Sequence, residues 1–316
     1  LAIKKYTSAD KQIWDNFLSI SKNATFLFRR DFIEYHGERF IDHSVLIFNS
    51  KKKLLALFPA CQKKKTIHSH SGLSYGGIIF HQDIRLHEAK TVFQVLLNYF
   101  QSQGFQKIIY KQLPYFYQQY PNYEEDIILY QLKAQLIRKD IGAIIDLQSL
   151  RSTTFLRGRS RELDLQKAQN HNLKIIQSNN LSYFWKNILI PNLKTRHQIS
   201  PTHSLNEITY LVDLFPKNIR FFSVQKNQQI VAGTLIFQTD EVAHAQYIAS
   251  SELGKKHGAL TLLFQHLVRN KYSDFKFFSF GISTENQGKN LNQGLHTWKE
   301  SFGARAIPHN IYQILI

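Results

Sequence analysis

The stretch from Val242 to Asn270, VAHAQYIASSELGKKHGALTLLFQHLVRN, gathers residue types that bind an anion. A strand pattern runs into a turn holding Gly254, Lys255, Lys256, Gly258 and Ala259, and the turn opens a helix. Backbone N–H groups at a helix start, together with the positive end of its dipole, can hold a phosphate. The glycines let the backbone approach a ligand, and the lysines add charge. The plainer reading is a strand-to-helix turn with solvated lysines. Alternation along the strand puts Ala243, Ala245, Tyr247 and Ala249 on one face and His244, Gln246 and Ile248 on the other. A His beside a Gln on a central strand needs hydrogen-bond partners, from the core or from a ligand.

A second rich stretch is FGISTENQGKNLNQGLHTWKESFGA, residues 280–304. Its loop carries Ser283, Thr284, Glu285, Asn286, Asn290 and Asn292, beyond a strand end where α/β folds place ligands. Lys299 falls four residues after Leu295 and so lies beside the apolar stripe of Leu295, Trp298 and Phe302. A lysine there either snorkels to water or is held as a cation in a cleft. Arg157, Arg159 and Arg161 alternate across a loop and a helix start, where arginine binds phosphate or carboxylate; a solvated basic helix is the simpler alternative. In the first half, His68, His70 and Tyr75 surround glycines in HSHSGLSYGG and suggest a substrate-facing edge. Two histidines without a matching acid or cysteine make a poor metal site, so none is expected. No G-x-S-x-G, G-x-G-x-x-G or Walker pattern occurs, which argues against a hydrolase, a dehydrogenase and a P-loop NTPase.

The elements that must position these groups form a repeated order. Each half reads strand, helices, three strands, helix, strand, helix, strand. The expected domains are 1–150 and 151–316, divided near the polar, basic segment SLRSTTFLRGRSR (149–161). A meander mixed with strand–helix–strand crossovers predicts an α/β architecture with a mixed sheet flanked by helices. The first half contributes helices at 8–19, 86–103 and 124–138; the second contributes a basic helix at 159–170 and helices at 181–196, 258–270 and 291–302. The chain has 316 residues, 43% of them hydrophobic and 13% aromatic, enough for two cores and too much for a disordered chain. No apolar run is long enough to span a bilayer. The one cysteine, Cys61, excludes an internal disulfide framework. With no signal-peptide pattern in LAIKKYTSAD, a reducing, cytoplasmic setting is expected. A net charge of +17 favours anionic partners: nucleic acid, phosphorylated small molecules, or peripheral contact with an anionic membrane.

Three stretches in this order carry a resemblance: RGRSRELDLQKAQ, then QQIVAGTLIF with VAHAQYIASSELGKKHGAL, then FGISTENQG…LNQGLHTWKESFGA. The chain resembles the FemAB-like, peptidoglycan-bridge-type branch of the GNAT acyltransferase superfamily over nearly its whole length. The resemblance implies tandem GNAT-like domains with a cleft between them. It implies transfer of an acyl or aminoacyl group to an amine. Acyl-CoA or aminoacyl-tRNA would be a co-substrate rather than a tightly bound cofactor, and a small molecule or cell-wall precursor the acceptor. In the pyrophosphate loop of ordinary GNATs, Leu253 stands where Gln or Arg is usual and Lys256 where Gly is usual, while Gly258-Ala259 is kept. Lys299 matches the lysine of the closing motif, implicated in holding the oxyanion. Glu285 and His244 are the candidates for proton handling. Gln246, Tyr247, Asn292, Tyr75, His70 and Arg159 are the candidate substrate contacts. The competing expectation is a non-catalytic GNAT-like scaffold that binds a nucleic acid, sugar or peptide.

Overall fold

Apolar residues three and four apart between Leu86 and Ser102 bury Val92, Phe93, Leu96 and Phe100 on one face of a long helix. In the second half, the strand Gln229–Gln238 is buried nearly throughout, as expected where both faces of a sheet are covered. These elements belong to a computed structural model that describes residues 1–152 and 158–316. The chain forms two units: Leu1–Asp140 with Gln287–Lys289 and Pro308–Ile316, and Ile141–Asn286 with Asn290–Ile307. The sequence division falls at 150, whereas the units part between Asp140 and Ile141. The C-terminal segment joins the first unit because strand pairing decides membership.

In the first unit the order is β1 (Ala2–Lys5), α1 (Lys11–Leu18), α2 (Arg30–Glu34), β2 (Ile41–Asp42), β3 (Val45–Phe48), β4 (Leu54–Phe58), β5 (Cys61–Lys63), β6 (Thr66–His68), β7 (Ile79–Phe80), α3 (Leu86–Ser102), β8 (Lys107–Lys111) and α4 (Glu124–Gln131). Strands β1, β3, β4 and β7 make an antiparallel sheet in that order. Strands β8, β6, β5 and β2 follow one another in a second sheet. The core is aromatic, with Phe58, Phe80, Phe93, Phe100 and Tyr110 fully buried. The helix expected over 124–138 stops at Gln131, because Lys133 takes the left-handed φ of 53° and β9 (Gln135–Asp146) begins.

The second unit takes the second half of β9. Then come α5 (Arg159–Asn170), β10 (Lys174–Gln177), α6 (Leu181–Phe184), a π-helical turn over Trp185–Leu189, α7 (Ile190–His197), α8 (Leu205–Leu214), β11 (Ile219–Lys226), β12 (Gln229–Gln238), β13 (Val242–Ser250), α9 (Glu252–Lys256), α10 (Ala259–His266), β14 (Phe277–Ile282), the short strands β15 (Thr284–Glu285) and β16 (Asn290–Leu291), and α11 (Gln293–Glu300). The sheet order is β10–β11–β12–β13–β14–β9, antiparallel except for the parallel pair β13–β14. This is the mixed sheet with flanking helices that the sequence pattern predicts. The last strand, β17 (Arg305–Leu315), pairs through Ile311–Leu315 with β8 of the first unit.

An aromatic cluster holds α11 on this sheet. Phe264 of α10 meets Phe280, Phe302 and Trp298 at centroid distances of 4.9, 5.5 and 5.8 Å. Truncating a buried phenylalanine of this kind costs about 3–5 kcal/mol, so the helix that carries Lys299 is firmly placed.

Candidate functional site

Strands β13 and β14 pair over only three positions, ending at His244 opposite Ser279. Beyond that level Ala245–Ser250 keep their pairing with β12 alone. Two irregularities fall beside the opening. Against β12, Leu235 faces Tyr247 and Ile236 faces Ala245, so Gln246 is the extra residue of a β-bulge. Against β9, β14 shifts register between Ser279 and Ile282, and Gly281 takes φ 70°. Bulges re-aim backbone groups, and they occur often beside active sites.

Lys299 is tied to the second bulge. It is 3% exposed, and its Nζ donates to the carbonyl oxygens of Gly281 at 3.0 Å and Ile282 at 2.6 Å. Burial alone pulls its pKa from the usual lysine value to about 7. Nearby, His244 Nδ1 shares a hydrogen bond of 3.0 Å with Ser279 Oγ, and its Cε1 lies 3.2 Å from where a Cβ on Gly281 would stand. His244, Ser279, Gly281 and Lys299 therefore form one cluster at the point where β13 and β14 separate.

The expected anion turn is split into two helices. Ser251 caps α9: its Oγ accepts from Gly254 N–H at 3.1 Å and donates to Val231 O at 2.9 Å. Lys255 is engaged by Glu252 in an ion pair. Gly258 then caps α10 with φ 68°, and no side chain caps that helix start. A Cβ at position 258 would lie 2.1 Å from Asp164 O, so α5 crosses the turn where only glycine fits.

A pocket of 530 Å³ opens here, entirely within the second unit. Gly254, Lys255, Gly258, Ala259 and Thr261 line one side, Asn292, Gly294, Leu295 and Trp298 of α11 another. Ile248–Ser250 of β13 and Leu189, Asn192 and Leu193 close it. Arg161 is fixed at its edge. Its Nε donates to Ser301 Oγ at 2.7 Å and one terminal nitrogen to Thr261 Oγ1 at 3.2 Å, with the guanidinium 4.7 Å from the Phe302 ring centroid. Its burial lowers its pKa, and Asp164 works against that shift. The sequence reading singled out Arg159 on this helix start; Arg159 is exposed, and Arg161 is the arginine at the pocket. Arg157 lies outside the described residues.

The other expected residues divide by burial. Asn292 lines the pocket, accepts from Leu295 N–H at 3.0 Å as the cap of α11, and donates to Glu285 Oε1 at 2.8 Å. Glu285 itself is exposed, as is Lys256. Tyr247 is buried, its ring edge-on to Trp185 at 4.8 Å and its hydroxyl 2.7 Å from His203 Nδ1, so its side chain is core. Tyr75 and His70, expected at a substrate-facing edge, are interior residues of the first unit. Tyr75 is 3% exposed and donates to Thr25 Oγ1 at 3.0 Å; His70 is 2% exposed and stacks on His36 at 5.4 Å. Desolvation first, and then the nearby His36, hold the His70 pKa down to about 3. Asn192 and Thr261 carry no signal at single positions in the sequence, and Trp298, expected only in an apolar stripe, lines the pocket as well. Among the described residues, no three His, Cys, Asp or Glu side chains gather as a metal site needs. No helix among them is long and apolar enough to cross a membrane.

No family model and no curated protein matches the chain. Solved structures do, and they define the class first: a tandem GNAT-like fold. A tandem GNAT protein from the clavulanic acid biosynthesis pathway matches with a TM-score of 0.53 at 8% identity, covering 99% of this chain and 98% of its own. FemX matches with a TM-score of 0.70 at 11% identity, covering 100% of this chain and 98% of its own. L-PGS from Bacillus licheniformis matches at 0.62 and 13% identity, covering 98% and 92%. The fold of this chain is the FemAB-like, tandem GNAT fold.

Proposed function

We propose that this chain transfers an acyl or aminoacyl group from acyl-CoA or aminoacyl-tRNA to an amine, on a cell-wall precursor or another cell-envelope acceptor. The observation that carries the reading is Lys299. A buried ammonium is costly; this one stands where two parallel strands part, on the helix whose Gly294, Leu295 and Trp298 line a pocket of ligand size. The acceptor class rests on the fold shared with FemX and L-PGS.

In this reading the amine nitrogen attacks the carbonyl carbon and a C–N bond forms. The tetrahedral intermediate collapses by breaking the C–S bond of a thioester or the C–O bond of an ester. The proton lost from the amine ends on the departing sulfur or oxygen. Lys299, in its charged form, stabilises the oxyanion together with backbone N–H groups of β13 beyond His244. His244, held by Ser279, takes the proton. Glu285, exposed and engaged by Asn292, is the second candidate for that step. No covalent enzyme intermediate is required. The donor's phosphates sit at the start of α10 with Lys255, Gly258 and Ala259, and Arg161 at the rim.

Thermal unfolding with acetyl-CoA, longer acyl-CoAs and charged tRNA tests the reading. A ligand at 100 times its dissociation constant stabilises by about 2.7 kcal/mol. Stabilisation by one donor class, followed by transfer of labelled acyl group to an amine, supports the proposal. Silence from every donor favours a binding scaffold instead.

A further inference from the structure

One group of basic side chains around the same turn has no part in that mechanism. His257, between Lys256 and Gly258, is 5% exposed. The exposed imidazole of His171, at the C-terminal end of α5, stacks on it with centroids 3.8 Å apart and planes inclined by 20°. From the end of β11, Lys226 brings its Nζ to 3.2 Å from His257 Nδ1. An ammonium only donates, so His257 Nδ1 accepts here and the ring is neutral, its proton on Nε2. Desolvation, followed by His171, Lys226 and Lys256, lowers the His257 pKa. All three neighbours are basic side chains.

Such a cluster is paired only when an anion arrives. Once His257 takes a proton, its Nδ1 becomes a donor 3.2 Å from the Lys226 ammonium. Two charge-assisted donors that close can share one phosphoryl oxygen, which replaces their direct contact. His171 and Lys256, both exposed, flank the approach. We propose that Lys226, His257 and His171 form a proton-linked subsite for a phosphoryl group of the donor, beside the turn. The inference rests on the transferase reading only for naming the ligand as the donor. The phosphate belongs either to a nucleotide monoester or to an RNA backbone.

The test uses the full chain at low salt, with inorganic phosphate, adenosine 3′,5′-bisphosphate and a short single-stranded RNA as probes. Calorimetric titration at pH 6 and pH 8, in buffers of different ionisation heat, reads affinity and proton uptake together. The expected result is about tenfold tighter binding at pH 6 with uptake of a proton. His257→Asn and His171→Asn should each reduce that ratio to about twofold, and Lys226→Ala should weaken binding at both pH values. Comparing ratios between variants cancels the titration of the probe itself. Because His257 is buried, the exposed His171→Asn variant keeps the test informative if His257→Asn folds poorly. Preference for the bisphosphate or for the RNA identifies the source of the phosphate. An unchanged ratio in both histidine variants, or no binding by the wild type, overturns the subsite. Transfer measured on the same preparations separates the two readings: an active enzyme without proton-linked binding loses only the subsite, and an inactive one with it loses only the transferase assignment.

Discussion

Lys299 Nζ donates to the carbonyl oxygen of Ile282 at 2.6 Å, which fixes a buried cation at the end of the strand that parts from β13. An oxyanion donor removed from an enzyme typically costs about 10²–10³ in kcat. Lys299→Ala and Lys299→Met should both lose transfer by about that factor with KM changed little. Loss of activity explained wholly by unfolding would contradict this, so circular dichroism is read beside the kinetics.

The same residue makes a stability prediction of opposite sign. Its folded pKa of about 7 lies below that of an unfolded lysine, so the unfolded chain binds more protons between the two values. Stability therefore rises with pH from about 7 toward 10. Lys299→Met should remove that slope and raise Tm at pH 6, where the native lysine must be charged in the interior. Each kcal/mol gained corresponds to about 2–4 °C in a domain of this size. A lower Tm for the methionine variant at pH 6 would mean that the two carbonyl hydrogen bonds outweigh the desolvation.

Gly258 joins the pocket to the fold. Gly258→Ala asks an L-residue to hold φ 68° with its Cβ against Asp164 O. The expected cost is about 1–3 kcal/mol from the backbone alone, plus displacement of α5. Urea unfolding reads the stability, and the thermal shift given by acyl-CoA or tRNA reads the site. The ligand shift should shrink more than for an equally destabilising change in the first unit, such as Leu96→Ala.

Much of this arrangement was legible from residue order. The runs at 220–225, 230–238 and 242–249 alternate or stay apolar long enough to be strands and fall within β11, β12 and β13, and the 159–170 helix matches its pattern at both ends. The stretch expected as one turn at 254–259 holds the end of one helix and the start of another, joined at Gly258, and the burial of Lys299 matches one of the two alternatives its place beside the apolar stripe allowed. The β5–β6 hairpin was not: three-residue strands around Lys64 give no periodicity. Nor was the exchange of Arg161 for Arg159 at the pocket. On a helix the two differ by about 200° in direction, and only the packing of Phe302 and Ser301 decides which turns inward. His70 and Tyr75 misled because polar types beside glycines suggest a surface, whereas here Tyr75 is held by one hydrogen bond to Thr25 and His70 by packing against His36 and Phe40.

The first unit carries its own pH signature. Glu125 is 1% exposed, accepts a hydrogen bond from Tyr110, and leaves Oε2 without a partner. Burial raises its pKa to about 8, so the folded chain keeps a proton that the unfolded chain releases above about 4.5. Stability from this group is present at low pH and is lost as pH climbs toward 8. Lys299 contributes an opposite slope that starts near 7, so the cleanest measurement is made in the Lys299→Met background. His70, held near 3, adds a rising slope below about 6.5, so the reading is the difference between variants: adding Glu125→Gln should make the urea midpoint at pH 8 higher relative to that at pH 5. The amide keeps the shape of the neutral acid without the ionisation. A slope unchanged by that substitution would assign the alkaline loss to other groups and leave Glu125 ionised within the core.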